Sequence, residues 1–215
     1  YSFLRVLLFS AFLLLSAHVH ACSMYKVTMN GKTIVGSNYD AYYLTTKVWF
    51  ENETKAHRYG AAFIGGRYDG NNGLLPQSGM NNCGLSFSRL AAPPPQKALP
   101  VATNKKTVTN PVQYLKDILH SCKNIADVKD YIKQYDRRYF NEEVIIYIDS
   151  TGNSLIVEAD TMITGNNPSY VLSNFCPSRT PDLQSVKQVR YRNGVAFRKN
   201  KIDTSIAFCT ALSDT

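Results

Sequence analysis

Histidine is scarce in this chain of 215 residues: four occur, and His18 and His20 fall in the leading apolar stretch. A serine or cysteine triad needs a histidine base, which leaves only His57 and His120 to supply one. His120 lies inside a helical pattern beside Leu119, and a core or surface position accounts for each histidine better than catalysis does. G-x-S-x-G, H-E-x-x-H, a Walker loop and a dinucleotide fingerprint are all missing. The run Gly65-Gly66-Arg67-Tyr68-Asp69-Gly70 does not follow strand-to-helix logic and reads as a loop. The five cysteines show no zinc-type spacing, so no metal is expected. Neither an internal repeat nor a low-complexity segment occurs. Beyond the first residues no apolar run approaches the roughly 20 residues that cross a bilayer, so no stable membrane insertion is expected. No zinc knuckle, homeodomain or aromatic RNA-binding motif accompanies the basic residues, which argues against a nucleic-acid partner.

What is present points to a globular protein: 44% of residues are hydrophobic and 19% charged. The formal charge of +8 comes from scattered lysines and arginines, densest at Arg190, Arg192, Arg198, Lys199 and Lys201. That balance reads as a solvated surface, or as an attraction for anionic substrates and cell surfaces. The sequence starts without Met and ends at Thr215 without an obvious stop signal, and reads as a fragment at its front and its back. Residues 1–21 hold one basic residue, Arg5, no acid, an apolar run over 6–17, and Val19-His20-Ala21. This is the pattern of an export signal with an A-x-A-like cleavage site. The expected division is a signal peptide at 1–21 and one domain at 22–215, secreted or periplasmic.

Residues 24–38 spell a β-hairpin, because Asn30-Gly31 between β-branched runs supplies two residues that tolerate positive φ. Further strands are expected at 47–51, 59–64, 85–89, 144–148, 155–159, 170–173 and 206–210, with a second hairpin turn at 149–153. Asn110 and Asn124 each cap a helix, the first with Pro111 opening it and Tyr114, Leu115, Ile118 and Leu119 as its stripe. The second carries Ile125, Val128, Ile132 and Tyr135. A third, at 183–200, is interrupted by Gly194, and Pro93-Pro94-Pro95 opens a long surface connection to Asn110. Strands, helices, then strands again suggest an α+β layered fold.

Cleavage before Cys22 would put a thiol and a free α-amine on one residue. A free thiol near pKa 8.5 is only a few per cent ionised at neutral pH, whereas an α-amine near 7.7–8.0 already suits a general base. One residue then brings nucleophile and base without assembling them from separate segments. A carboxylate to orient the amine and donors for the oxyanion would complete the chemistry. If Cys22 is the nucleophile, the other four cysteines form at most two disulfides or stay as buried thiols. A competing reading takes Val19-His20-Ala21-Cys22 as a lipobox, with Cys22 the lipidation site of a lipid-anchored binding protein.

At these residues the chain resembles the choloylglycine hydrolase or penicillin V acylase family of N-terminal nucleophile hydrolases, the linear amide C–N hydrolases. Gly36-Ser37-Asn38-Tyr39-Asp40 answers the family's G-R-N-x-D, and Gly79-Met80-Asn81-Asn82-Cys83-Gly84-Leu85 answers G-M-N-E-x-G-L. Val171-Leu172-Ser173-Asn174 answers V-L-T-N, and Val189-Arg190-Tyr191-Arg192 answers S-R-F/Y-x-R. The resemblance implies a four-layer αββα sandwich, C-terminally incomplete here, that cleaves a linear non-peptide amide through a thioester on Cys22. It implies Cys22 as nucleophile and base, Asp40 as the carboxylate holding it, and Asn174 as an oxyanion donor. Arg190 would tune the thiol and amine, with Arg192 a rival. Bile-salt, penicillin V or N-acyl amine substrates fit this small-molecule chemistry, with acyl transfer as the alternative reaction. No cofactor is implied, and homo-oligomerisation is left open. Ser37 stands where the family has arginine, and 88–91 offers no asparagine where the family has a later one. Tyr39, Tyr42, Tyr43 and Trp49 either line an apolar pocket or pack in the core.

Overall fold

The structure, a computed structural model, describes residues 22–40, 45–200 and 203–214. The expected export signal, Tyr42, Tyr43 and Lys201 lie outside the described residues. The described chain opens on the expected hairpin. Strands β1 (Ser23–Met29) and β2 (Lys32–Asn38) pair antiparallel, and Asn30 and Gly31 turn between them with φ of 52° and 73°. Both values are left-handed, as a two-residue turn that matches strand twist requires. β14 (Ser169–Ser173) pairs with the other edge of β1, making a three-stranded sheet ordered β14-β1-β2.

The larger sheet has seven antiparallel strands. It is built from β3 (Lys47–Glu51), β4 (Ala61–Gly65), β7 (Ser78–Asn81), β8 (Ser86–Ala91), β11 (Glu143–Ile148), β12 (Ser154–Val157) and β13 (Met162–Gly165). Their spatial order is β13-β12-β11-β8-β7-β4-β3. Two short pairs lie outside it: β5 (Arg67–Tyr68) with β6 (Leu74–Leu75), and β9 (Lys106–Thr107) with β10 (Tyr135–Asp136). The expected Gly-rich loop at 65–70 therefore includes a short strand.

Alternation along β11 explains the layering, since successive side chains on a strand point to opposite faces. Ile145 and Tyr147 join Phe63, Phe87, Leu155 and Val157 in one core, against Leu115, Ile118 and Leu119 of helix α1 (Pro111–Ser121) and Val128 and Ile132 of helix α2 (Ile125–Lys133). Val144, Ile146 and Ile148 face the other way and join Met24, Val27 and Leu172 of the smaller sheet. Outside that sheet lie helix α3 (Val189–Asn200), in contact with β14, and helix α4 (Ile206–Ser213), in contact with β2. The result is a four-layer αββα sandwich.

Helices α1 and α2 start where the caps require. The side chains of Asn110 and Asn124 accept from Gln113 N and Asp127 N, each at 2.9 Å. Three expectations need correction. Tyr135 lies beyond the second helix, which ends at Lys133, and opens strand β10. Residues 206–210 are helical, because Ser205 caps them, accepting from Phe208 N at 3.1 Å, and Phe208, Cys209 and Leu212 find apolar partners on one side. A short apolar run is compatible with strand or helix, so only its partners decide. The third helix starts at Val189 and runs through Gly194, with only a single 3₁₀ turn at Leu183–Ser185 before it. All five cysteines are free thiols, and Cys22, Cys122, Cys176 and Cys209 are buried.

Candidate active site

Strand register brings the site together. Ser23, the first residue of β1, faces Asn38 at the end of β2 and Ser173 at the end of β14. The residues just beyond those ends, Tyr39-Asp40 and Asn174, must therefore flank Cys22, the residue just before β1. Ser173 Oγ fixes the main chain there by donating to Cys22 O at 2.8 Å. Cys22 itself is buried, with 6% of its surface exposed.

Asp40 meets the thiol through its main chain: Cys22 Sγ lies 3.7 Å from Asp40 O. Its carboxylate, about half exposed, turns to Arg190 of α3, with Oδ2 at 3.7 Å from Nη2. Arg192, the rival on the same helix, is exposed. Asn174 is buried and donates from Nδ2 to Ala91 O at 2.8 Å, so the end of β8 reaches the site through its backbone. Gln188 Nε2 in turn donates to Asn174 O at 2.8 Å and ties the approach to α3 into the same corner. Among the described residues Asn174 Oδ1 and Gln188 Oε1 are buried acceptors without a hydrogen-bond partner.

Burial pushes the Cys22 thiol above its ordinary value. The Asp40 main chain, the Asn174 side chain and the Arg190 charge oppose that rise, and the Asp40 carboxylate adds to it. The structure thus brings the other three residues singled out in the sequence, Asp40, Asn174 and Arg190, around the Cys22 thiol. Ser173, Gln188 and Ala91 also belong to this corner. Ser173 stands in the V-L-T-N match without a role assigned to it, and sequence reasoning missed Gln188 and Ala91 because a glutamine hydrogen-bonded to main chain and a bare backbone carbonyl leave no pattern.

The other motif residues serve the frame. Tyr25 lies across Gly36, where a Cβ would sit 2.0 Å from the Tyr25 hydroxyl oxygen. That hydroxyl lies 2.7 Å from both Cys209 O and Ser213 Oγ, and Asn38 Nδ2 donates to Ser213 O. Asn81 of the G-M-N motif is buried and fully paired. Its Nδ2 donates to Leu119 O and Cys122 O, each at 2.8 Å, while Oδ1 accepts from Cys83 N and Leu85 N.

Trp49 stacks on Phe63 beneath α1, on the face of the large sheet away from Cys22, so it packs in the core. Tyr39 packs against the cluster that contains Cys22. A depression of about 740 Å³ lies elsewhere, lined by Lys129, Asp149, Thr151, Asn153, Ser154 and Thr164 among others, and none of the four site residues borders it.

No protein-family model and no curated protein matches the chain. Solved structures do match its fold. Penicillin V acylase from Agrobacterium tumefaciens superposes with a TM-score of 0.66 over 90% of this chain and 71% of its own, at 13% identity. The N-acylethanolamine-hydrolyzing acid amidase ortholog of Caenorhabditis elegans gives 0.60 over 90% and 86%, at 14% identity. Conjugated bile acid hydrolase from Clostridium perfringens gives 0.54 over 82% of this chain, at 18% identity. The fold is that of the N-terminal nucleophile hydrolases. The chain spans 57% of the length of the bile acid hydrolase, a little over half.

Proposed function

We propose that this chain is the greater part of an amide hydrolase in which Cys22, released from residues 1–21 by signal cleavage, acts as an N-terminal nucleophile. The observation that carries this reading is the convergence of Asp40, Asn174 and Arg190 on the Cys22 sulfur. The fold neighbours support it, since all three are named for amide substrates: penicillin V, a conjugated bile acid and an N-acylethanolamine. Secretion or export to a periplasm follows from the same signal cleavage.

Burial raises the thiol, so thiolate has to be made by a base next to it. The Cys22 α-amine takes the thiol proton as sulfur attacks the amide carbon. The carbonyl π electrons move onto oxygen, and the second N–H of Asn174 Nδ2 donates to that oxyanion; the first is held by Ala91 O. Asn174 Oδ1, a buried acceptor with no partner among the described residues, suits an N–H of the amine. Collapse of the tetrahedral intermediate breaks the C–N bond, and the α-ammonium returns its proton to the leaving amine. Water, activated by the same amine, then hydrolyses the thioester to a free acid. The substrate is a linear non-peptide amide; in the acyl-transfer variant a second amine replaces that water. Ser37 in place of arginine removes a charge from this corner and leaves Arg190 as its cation.

The test is the mature N-terminus together with turnover. A full-length protein processed to a free Cys22 should hydrolyse chromogenic acyl amides, and Cys22→Ser should lower kcat by orders of magnitude. One extra residue before Cys22 should be as damaging, because it converts the amine to an amide. A diacylglyceryl mass on Cys22, or normal turnover by the extended protein, would refute the assignment.

A further inference from the structure

Behind the large sheet, away from Cys22, Glu51, His57 and His120 bring three potential metal ligands within 4.8 Å of one another. Glu51 ends edge strand β3, His57 lies in the loop from β3 to β4, and His120 sits in the last turn of α1. His120 is 2% exposed and its ring is held from both sides. Its Nδ1 lies 2.7 Å from Tyr59 O, and its Nε2 lies 2.9 Å from Glu51 Oε2. A carbonyl oxygen only accepts, so Nδ1 carries a hydrogen. In a neutral ring Nε2 then presents a lone pair to a carboxylate oxygen. With Nδ1 held by the Tyr59 carbonyl, Nε2 is the ring atom that faces Glu51 Oε2 and the centre of the cluster.

His57 lies parallel to His120, with ring centroids 3.9 Å apart and planes inclined by 7°. The stack keeps a His57 ring nitrogen within 4.8 Å of the ligand atoms of His120 and Glu51. The surroundings match those of a metal centre. Ligating histidines commonly donate their other N–H to a backbone carbonyl, as Nδ1 does to Tyr59, and ligating carboxylates are themselves hydrogen-bonded. Here Trp49 Nε1 donates to Glu51 Oε1 at 3.0 Å and Lys116 Nζ pairs with the same oxygen at 2.5 Å, leaving Oε2 aimed at His120.

We propose that Glu51, His57 and His120 bind a divalent transition-metal ion of the zinc class. Two imidazoles and one carboxylate suit zinc or cobalt and are poor ligands for calcium or magnesium. Bonds of about 2.0–2.2 Å in a tetrahedral site put ligand atoms about 3.3 Å apart. His120 and Glu51 must therefore separate by a few tenths of an ångström. The half-buried His57 must turn out of its parallel stack with His120 to aim a nitrogen at the ion, and its loop is held by a Thr54 turn with His57 N on Thr54 Oγ1 at 3.0 Å. The fourth position, on the His57 side, takes a water. Binding replaces any proton shared by Nε2 and Oε2, and that proton goes to solvent. The ion would clamp an edge strand and its loop onto α1, so its role is structural and independent of the Cys22 chemistry.

The test is a metal titration of the purified chain. Zinc at about 100 µM should raise Tm by several degrees, since a ligand that binds only the folded state stabilises it by mass action. Cobalt should give the visible d–d bands of a tetrahedral centre without a thiolate-to-metal charge-transfer band. His57→Ala, a change in a half-buried loop side chain, should leave the metal-free Tm within about a degree and weaken zinc at least tenfold. Glu51→Gln should weaken zinc by a similar factor. A wild-type Tm indifferent to zinc, a thiolate band with cobalt, or unchanged affinity in His57→Ala would each overturn the proposal and leave only the His120–Glu51 contact.

Discussion

Two asparagines, each inside a motif, illustrate how differently a residue can be used. Asn81 has both Nδ2 hydrogens and Oδ1 committed to main chain, joining the β7 turn to the C-terminal end of α1. Asn174 has one Nδ2 bond and a buried Oδ1 with no partner among the described residues, beside a thiol. The physical expectation differs accordingly. Asn81→Ala removes the partner of two buried carbonyls and two N–H groups and should destabilise by roughly 2–6 kcal/mol in urea unfolding, at about 0.5–1.5 kcal/mol for each of the four lost hydrogen bonds. A loss below 1 kcal/mol would show that water replaces the side chain. Asn174→Ala, under the proposed amidase chemistry, should lower kcat by about 10²–10³-fold with a small change in KM, the usual cost of one oxyanion donor. An equal effect through KM alone would assign Asn174 to ground-state binding instead.

At the level of elements, the sheet that carries Cys22 depends on a close approach. β1 and β2 meet with Tyr25 directly opposite Gly36, and the ring occupies the space a β-carbon would need. The Tyr25 hydroxyl then reaches over the strand to the C-terminal part of α4. Gly36→Ala should therefore displace Tyr25, loosen α4 and lower stability by about 1–3 kcal/mol, the range for overpacking a core. Near-UV circular dichroism should lose tyrosine signal alongside a drop in Tm. An unchanged Tm would mean that the Tyr25 ring can rotate away at no cost. The same contact explains why residues 206–213 are a helix. As an isolated apolar run they carry no period that separates strand from helix, and Tyr25 and the Ser205 cap decide it.

For the whole molecule, the two sheets are joined by more than apolar packing. Lys26 of β1 is 1% exposed and its ammonium donates to Gly152 O in the turn between β11 and β12. Burial pulls the Lys26 pKa down, and Asp149 partly restores it. The folded protein therefore releases this proton at lower pH than the unfolded chain does. Stability should rise as pH climbs through the folded value toward the ordinary lysine range, because the unfolded state then binds more protons. Lys26→Met should abolish that alkaline rise, and because it leaves Gly152 O without its buried donor it should lower neutral-pH stability by about 1–3 kcal/mol. Urea midpoints measured from pH 7 to 10.5 check this, and parallel curves for the two proteins would contradict it.

The amino-acid sequence by itself determined the local features: the Asn30-Gly31 hairpin, both asparagine caps, and the alternation in β8, β11 and β12 that makes a two-faced sheet. Each is settled by residues within a few positions of one another, through allowed φ values, cap hydrogen bonds or side-chain period. Of the four candidate site residues, Cys22 was legible from the cleavage pattern before it, and Asp40, Asn174 and Arg190 only through motif resemblance, because nothing local links positions 22, 40, 174 and 190. Tertiary structure decided how they meet: the register of β1 with β2 and β14 sets Asp40 and Asn174 beside Cys22, and α3 offers Arg190 rather than Arg192. It also decided that Asp40 meets the thiol by its main chain while its carboxylate turns to Arg190. The Glu51–His57–His120 cluster was invisible for the same reason: its members come from a strand, a loop and a helix. Their mutual distances exist only once α1 has packed on the large sheet.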